Sequence, residues 1–69
     1  MKVRHLRQQL FQAGFALLPK RGKGSHQVWQ HHSSRIMVIQ SGHDGKDARP
    51  YQVKAVRSAL KKINHYYHS

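Results

Sequence analysis

Apolar residues recur at helical spacing near the start of the chain. The positions on one predicted helical face are Val3, Leu6, Leu10 and Ala13, with Phe11 beside them. Residues three and four apart lie on the same side of an α-helix, so this spacing is typical of a helix with one buried face. Gly14 follows where helices often end in a left-handed backbone conformation. The pattern predicts a first helix over residues 3–13.

Three short segments then carry the patterns of β-strands. Residues 15–20 are short and mostly apolar, and residues 25–30 alternate, with His26, Val28 and Gln30 on one side. Residues 35–40 contain four consecutive apolar side chains and give the clearest strand pattern of the three. A glycine-bearing turn at 21–24 and a polar turn at 31–34 separate the segments. Short turns of this kind predict antiparallel neighbours.

A second helix is predicted to open at Pro50, after a loop over residues 41–49. Proline suits the first helical position because the backbone N–H that it lacks would have no helical partner there. The apolar face comprises Val53, Val56, Leu60 and Ile63, and a neighbouring basic stripe comprises Lys54, Arg57 and Lys61. Beyond residue 64 the only apolar side chains are two tyrosines, so we expect residues 65–69 to form a flexible tail.

The order of these elements predicts a single α+β domain over residues 1–64. We expect an α-β-β-β-α two-layer sandwich, with a three-stranded antiparallel sheet that carries both helices on one face. The other sheet face is left open. This order in a short basic chain matches the double-stranded-RNA-binding architecture, although topology alone does not establish function.

The composition excludes some classes of protein and favours others. The 69 residues include no cysteine, which excludes disulfides and thiolate metal sites and fits a cytoplasmic protein. The sequence has neither an apolar run near the roughly 18 residues of a membrane span nor the pattern of a signal peptide. Thirteen lysines and arginines face two aspartates, a net charge of +11 spread along the whole chain. Such an excess predicts a polyanionic partner, nucleic acid above all, and is compatible with an acidic protein partner.

The candidate catalytic residue is His26, which ends the run Gly22-Lys23-Gly24-Ser25-His26 in the first predicted hairpin turn. Metal-free RNA cleavage needs a base for the 2′-hydroxyl proton, and an imidazole titrates near neutral pH. Lys23 and Arg21 are candidate phosphate ligands, and Gly24 would let backbone amides approach a phosphate closely. Ser25 could fix the turn or donate a hydrogen bond. Lys46, Lys54 and Arg57 are weaker candidates for contacts to RNA.

Several other residues allow more than one interpretation. His43 is either a second acid–base group, if its loop folds towards His26, or a polar loop residue. Trp29 either packs under the helices or faces outward and stacks a base. His31 and His32 are adjacent, and on a strand they would point to opposite faces, so we expect neither a zinc site nor a cofactor. Serine nucleophile chemistry is rejected because Ser25 and His26 diverge on a strand and no orienting acid is evident.

On these residues the chain resembles the HicA family of toxins, over roughly residues 6–63. The most specific part of the likeness is the run Lys23-Gly24-Ser25-His26, followed by Val28-Trp29-Gln30-His31. Further support comes from the Gly14-Phe15 junction, the apolar third strand, the loop Gly42-His43-Asp44-Gly45-Lys46-Asp47 and the late segment Leu60-Lys61-Lys62-Ile63. The chain departs from many relatives at Gln40-Ser41, where they carry valine-proline, and at residues 49–53, where they often carry glycine-threonine-leucine.

The resemblance implies a type II toxin of double-stranded-RNA-binding-like fold that inhibits translation as an mRNA interferase. It implies that His26 is the catalytic histidine, and that a HicB-like antitoxin covers the toxin and blocks its site. The alternative from the residues is a non-enzymatic RNA-binding module of the same fold. A cationic chain acting on membranes is disfavoured, because the apolar third strand and the strand turns indicate a folded core.

Overall fold

The computed structural model describes residues 1–19 and 26–68, with side chains through Tyr66. Its elements are α1 (Val3–Gln12), β1 (Phe15–Leu18), β2 (Gln27–His31), β3 (Met37–Gln40) and α2 (Pro50–His68). The strands form one antiparallel sheet in the order β1-β2-β3. This arrangement confirms the predicted α-β-β-β-α, α+β fold. No helix within the described ranges is long and apolar enough to cross a membrane.

The helices cover one face of the sheet, and the strand register shows which residues face them. Phe15 pairs with His31, Trp29 pairs with both Leu17 and Val38, and Gln27 pairs with Gln40. The core joins Phe15 and Val38 from this face to buried side chains of both helices. The helical contributions are Leu6, Leu10, Val56, Ala59 and Ile63. Met37 and Ile39 alternate onto the opposite face, where they are exposed.

Helix α1 ends as its sequence predicts. Gly14 adopts a left-handed conformation with φ of +96°, which a residue without Cβ adopts most easily. The start of α1 is less conventional, because Lys2 caps it without a side-chain hydrogen bond. The Val3 and Arg4 amides donate instead to the carbonyls of Lys46 and Asp44, at 2.9 and 3.2 Å. The loop between β3 and α2 therefore satisfies the first turn of α1.

Four strand boundaries differ from the expectation. β1 ends at Leu18 and β2 begins at Gln27, inside the predicted ranges 15–20 and 25–30. β2 continues to His31, which was placed in the polar turn, because this buried side chain extends the helix-facing alternation of Gln27 and Trp29. β3 begins at Met37 rather than at residue 35. Arg35 has φ of +66°, a conformation that interrupts extended backbone, so β3 begins two residues later than the apolar pattern indicates.

Helix α2 opens at Pro50, as predicted, and Gln52 stabilises its first turn. The Gln52 Oε1 atom accepts a hydrogen bond from the Arg49 backbone N–H at 2.8 Å, the reciprocal half of a capping box. Its Nε2 atom donates to the Ser41 carbonyl, also at 2.8 Å, and so ties α2 to the end of β3. The helix continues to His68, through most of the segment expected to form a tail, and Tyr66 makes an edge contact with the His31 ring.

Candidate nucleic-acid interface

His26 is exposed and directly precedes β2. The predicted RNA-binding residues Arg21, Lys23, Gly24 and Ser25 lie outside the described residues. Gln27, the next residue, pairs with Gln40, so the register continued by one residue sets His26 opposite Ser41. His26 therefore lies at the end of the sheet where the loop over residues 41–49 begins.

That loop is fixed against α1 by both acidic residues of the chain. The Arg7 guanidinium forms an ion pair with Asp44 and donates a hydrogen bond to the Gly42 carbonyl at 2.7 Å. Lys2 Nζ lies 2.9 Å from a carboxylate oxygen of Asp47, and this contact lowers the pKa of Asp47 below its ordinary value. The aspartates therefore position the loop and leave the cations of the remaining surface uncompensated.

The loop presents cations around a recess of about 310 Å³. Lys46 and His43, both exposed, line it together with Arg49 and Tyr51. Among the described residues no hydrogen bond joins His43 to His26, so a second acid–base role for His43 stays a prediction. The recess offers a cationic surface of the kind that binds phosphate, beside the strand end that carries His26.

Lys54 and Arg57, the weaker candidates on α2, are exposed. They lie on successive turns of a helix whose first residue follows the cationic loop. Residues three apart lie on one helical side, so both ammonium and guanidinium groups can face the same polyanion. These two exposed cations thus follow the cationic loop along the chain, on the helix that it leads into.

Two other histidines have a structural role that the sequence did not reveal. His31 is fully buried, and its Nδ1 atom accepts hydrogen bonds from the backbone N–H groups of Ser33 and Ser34 at 3.3 and 3.0 Å. Burial lowers the pKa of His31, and His32 lowers it further. The two rings lie 4.5 Å apart rather than on opposite faces, because β2 ends at His31 and the chain turns there. The burial of His31 could have been predicted from the period-two alternation of Gln27, Trp29 and His31, which places all three on the helix-facing side of β2.

These histidines do not form a metal centre. No group of three or more histidine, cysteine or acidic side chains with metal-binding geometry occurs in residues 1–19 and 26–68. His31 Nδ1 is occupied by the turn that follows β2, and Ser34 Oγ also lies within hydrogen-bond distance, at 3.0 Å. The pair instead holds the β2–β3 turn.

Trp29 faces the helices and packs against the core, so the outward-facing alternative is wrong. Its outer part borders a cavity of about 280 Å³ at the His26 end of the sheet. The cavity is lined by Arg4, Arg7, Leu17, Gln27, Trp29 and Asp44.

The structure therefore presents an exposed histidine and a basic loop at one end of an α-β-β-β-α domain. Comparison with curated proteins and with solved structures gives no match. A family model described as the HicA toxin of bacterial toxin–antitoxin systems matches residues 3–64, which cover both helices' buried faces and the whole sheet. The chain accordingly belongs to the HicA family of bacterial toxins, the toxin component of toxin–antitoxin pairs.

Proposed function

We propose that this toxin is a metal-independent endoribonuclease that cleaves mRNA in the cytoplasm, with His26 as the acid–base residue. The observation that carries the proposal is the exposure of His26 at the entry to β2, directly after the basic segment 20–25. A histidine in the core would be unable to reach a ribose. The net charge of +11 supports a polyanionic substrate.

The reaction needs only groups that the chain carries. The His26 imidazole accepts the proton of the 2′-hydroxyl as its oxygen bonds to the adjacent phosphorus. The bond from phosphorus to the 5′-oxygen then breaks, and that oxygen takes a proton from water or from the imidazolium. The products are a 2′,3′-cyclic phosphate and a 5′-hydroxyl. Cations around the phosphate, with Lys23 and Arg21 as the candidates, stabilise the charge that develops on its oxygens.

The proposed protein partner is a HicB-like antitoxin. Membership of the family gives the chain an antitoxin as its kind of partner. The surplus of cations favours an antitoxin that presents carboxylates to the surface formed by the loop over residues 41–49 and by α2. Such a partner would block RNA from the same surface.

The test compares the parent with His26→Ala and with His65→Ala, a matched change of another exposed histidine. Each protein is incubated in EDTA with unstructured RNA, and with the same RNA carrying 2′-deoxyriboses. We expect the parent and His65→Ala to cut only the RNA with 2′-hydroxyls. His26→Ala should cut it about 10²–10⁴-fold more slowly, the usual contribution of a general base.

Three results would contradict the proposal. Equal RNA binding by all three proteins without fragments would indicate a non-enzymatic binding module. Cleavage that disappears in EDTA and returns with a divalent cation would refute the metal-independent mechanism. Equal cleavage by the parent and His26→Ala, with matching circular dichroism spectra, would remove the catalytic role of His26.

A further inference from the structure

The helices leave one end of their own sheet face uncovered. At the far end of the β1–β2 ladder, Phe15 and His31 form a pair that is 2% and 0% exposed. At the near end, Leu17 pairs with Trp29 and is 44% exposed, although it faces the same layer. The space above this pair is the cavity of about 280 Å³, between α1 and the strands. An apolar side chain left in the open on a helix-covered face indicates a place where another molecule can pack.

Three of the residues that line the cavity carry buried polar atoms without partners. Arg7 Nε, Gln27 Oε1 and Trp29 Nε1 are buried, and none has a hydrogen-bond partner in the part of the chain that the structure describes. The amide of Gln40, which faces Gln27 across the ladder, is likewise buried and unpartnered. Buried polar groups are nearly always paired in folded proteins. These polar groups could be satisfied by a ligand only if their side chains turn towards the cavity.

The side chains can present these groups to a ligand. Gln27 is only half-buried and its side chain is flexible, so a change of rotamer would bring its amide to the cavity surface, whereas the Trp29 ring borders the cavity from its place in the core. Together they supply a donor, an acceptor and an aromatic ring. Arg4 is exposed at the rim, and the one carboxylate there, Asp44, is already paired with Arg7. The cavity therefore favours a flat polar molecule attached to an anionic backbone.

The cavity adjoins the proposed catalytic histidine. Gln27 follows His26 directly, so their Cα atoms lie about 3.8 Å apart. Successive side chains of extended backbone point to opposite sides, so Gln27 faces the cavity, whereas His26 faces the other side of the sheet at the end of β2. An RNA strand that passes round this end of β2 would place a ribose at His26 on one side and a neighbouring base at the mouth of the cavity on the other.

We propose that this cavity binds one nucleobase of the RNA, next to the bond that is cleaved, and thereby sets the sequence preference of the toxin. The inference rests on the proposed nuclease function. Ligand pockets usually span about 300–1,000 Å³, so a cavity of about 280 Å³ suits a single base rather than a whole nucleotide. Unstacked bases are commonly recognised by an aromatic or guanidinium plane together with hydrogen bonds to the base edge.

The experiment compares Gln27→Ala with Gln30→Ala, the same change in the same strand on the opposite sheet face. Each variant and the parent cleave a random-sequence RNA pool, and the cut sites are sequenced. We expect the parent to prefer certain bases at one position beside the cut. Gln27→Ala should flatten that preference and lower kcat/KM about tenfold, the factor for one lost hydrogen bond. Gln30→Ala should match the parent.

A second variant tests the cavity without removing a polar group. Leu17→Trp fills the space from its exposed side, and we expect it to lose the base preference while its unfolding midpoint stays near that of the parent. The inference is overturned if Gln27→Ala and Leu17→Trp, both folded, cut the same positions with the same kcat/KM as the parent. It is also overturned if both weaken antitoxin binding alone, since the cavity would then receive a side chain of that partner.

Binding by His26→Ala separates this inference from the nuclease proposal. Short homopolymeric oligoribonucleotides are titrated against this variant, with and without Gln27→Ala. A base preference that disappears in the double variant supports the cavity even if the parent cleaves nothing. Equal affinity for all four homopolymers in both proteins refutes the cavity even if the parent is an active nuclease.

Discussion

Replacing Gly14 by alanine should destabilise the fold by an amount that the structure allows us to estimate. Gly14 joins α1 to β1 at φ of +96°, and left-handed backbone costs an L-residue about 1–2 kcal/mol. An added Cβ would lie 2.8 Å from His32 Cδ2 and 3.3 Å from Nε2 of the buried His31. Displacing these rings adds about 1–3 kcal/mol, the usual cost of overpacking. The free energy of unfolding should therefore fall by about 2–5 kcal/mol.

The assay is urea and thermal unfolding followed by circular dichroism. One kcal/mol moves the midpoint of a domain this small by about 4–8 °C, so Gly14→Ala should lower Tm by at least about 8 °C. Gly45→Ala is the matched control, because a Cβ there meets no atom within 4 Å. The double variant Gly14→Ala with His32→Ala should recover the part of the lost free energy of unfolding that comes from the contact with His32. A Tm for Gly14→Ala equal to that of Gly45→Ala would refute the reasoning.

Three further predictions concern stability. Gln52→Ala removes the side-chain bonds that open α2, at 2.8 Å each, and should cost about 1–3 kcal/mol, whereas exposed Gln8→Ala should leave the urea midpoint unchanged. Leu10→Ala should cost about 2–5 kcal/mol because Leu10 is 0% exposed, whereas Phe11→Ala, at a position 72% exposed, should cost far less in the same assay. Burial lowers the pKa of His31, so between that lowered pKa and 6.5 the unfolded chain binds more protons than the folded chain. The free energy of unfolding should therefore be highest above pH 6.5 and should fall as the pH drops through this interval. An NMR titration midpoint of His31 at or above 6.5 would contradict this last prediction.

The sequence predicts the helices better than the strand boundaries, for physical reasons. Helical spacing, the left-handed glycine and the opening Pro50 are local signals, and the structure confirms each. The start of β3 depends on Arg35, whose positive φ is imposed by the turn and which no residue pattern announces. The last turns of α2, which the pattern did not predict, carry Tyr66 in contact with the His31 ring, remote in sequence. Neither the backbone conformation of Arg35 nor the contact of Tyr66 can be read from the local residue pattern.

In the candidate site, too, the sequence predicted some features and missed others. The exposure of His26 agrees with its position between a basic segment and an alternating strand. His31 was assigned to the polar turn over residues 31–34, and only the surrounding packing makes it a core residue. The cavity beside Leu17 and Trp29 exists because α1 leaves that end of the sheet uncovered. Such a gap depends on the relative position of helix and sheet, so no motif encodes it.

The charge distribution links the stability of the toxin to its partners. Both aspartate carboxylates form ion pairs, with Lys2 and Arg7, that hold the loop over residues 41–49 against α1. The remaining cations of a chain with net charge +11 repel one another in the compact state. A polyanion relieves that repulsion and, because it binds the folded chain, stabilises it by mass action. We therefore expect RNA and an acidic antitoxin, the two partners proposed above, to compete for the same cations, so that the antitoxin neutralises the toxin by occupying this surface without any change in the fold.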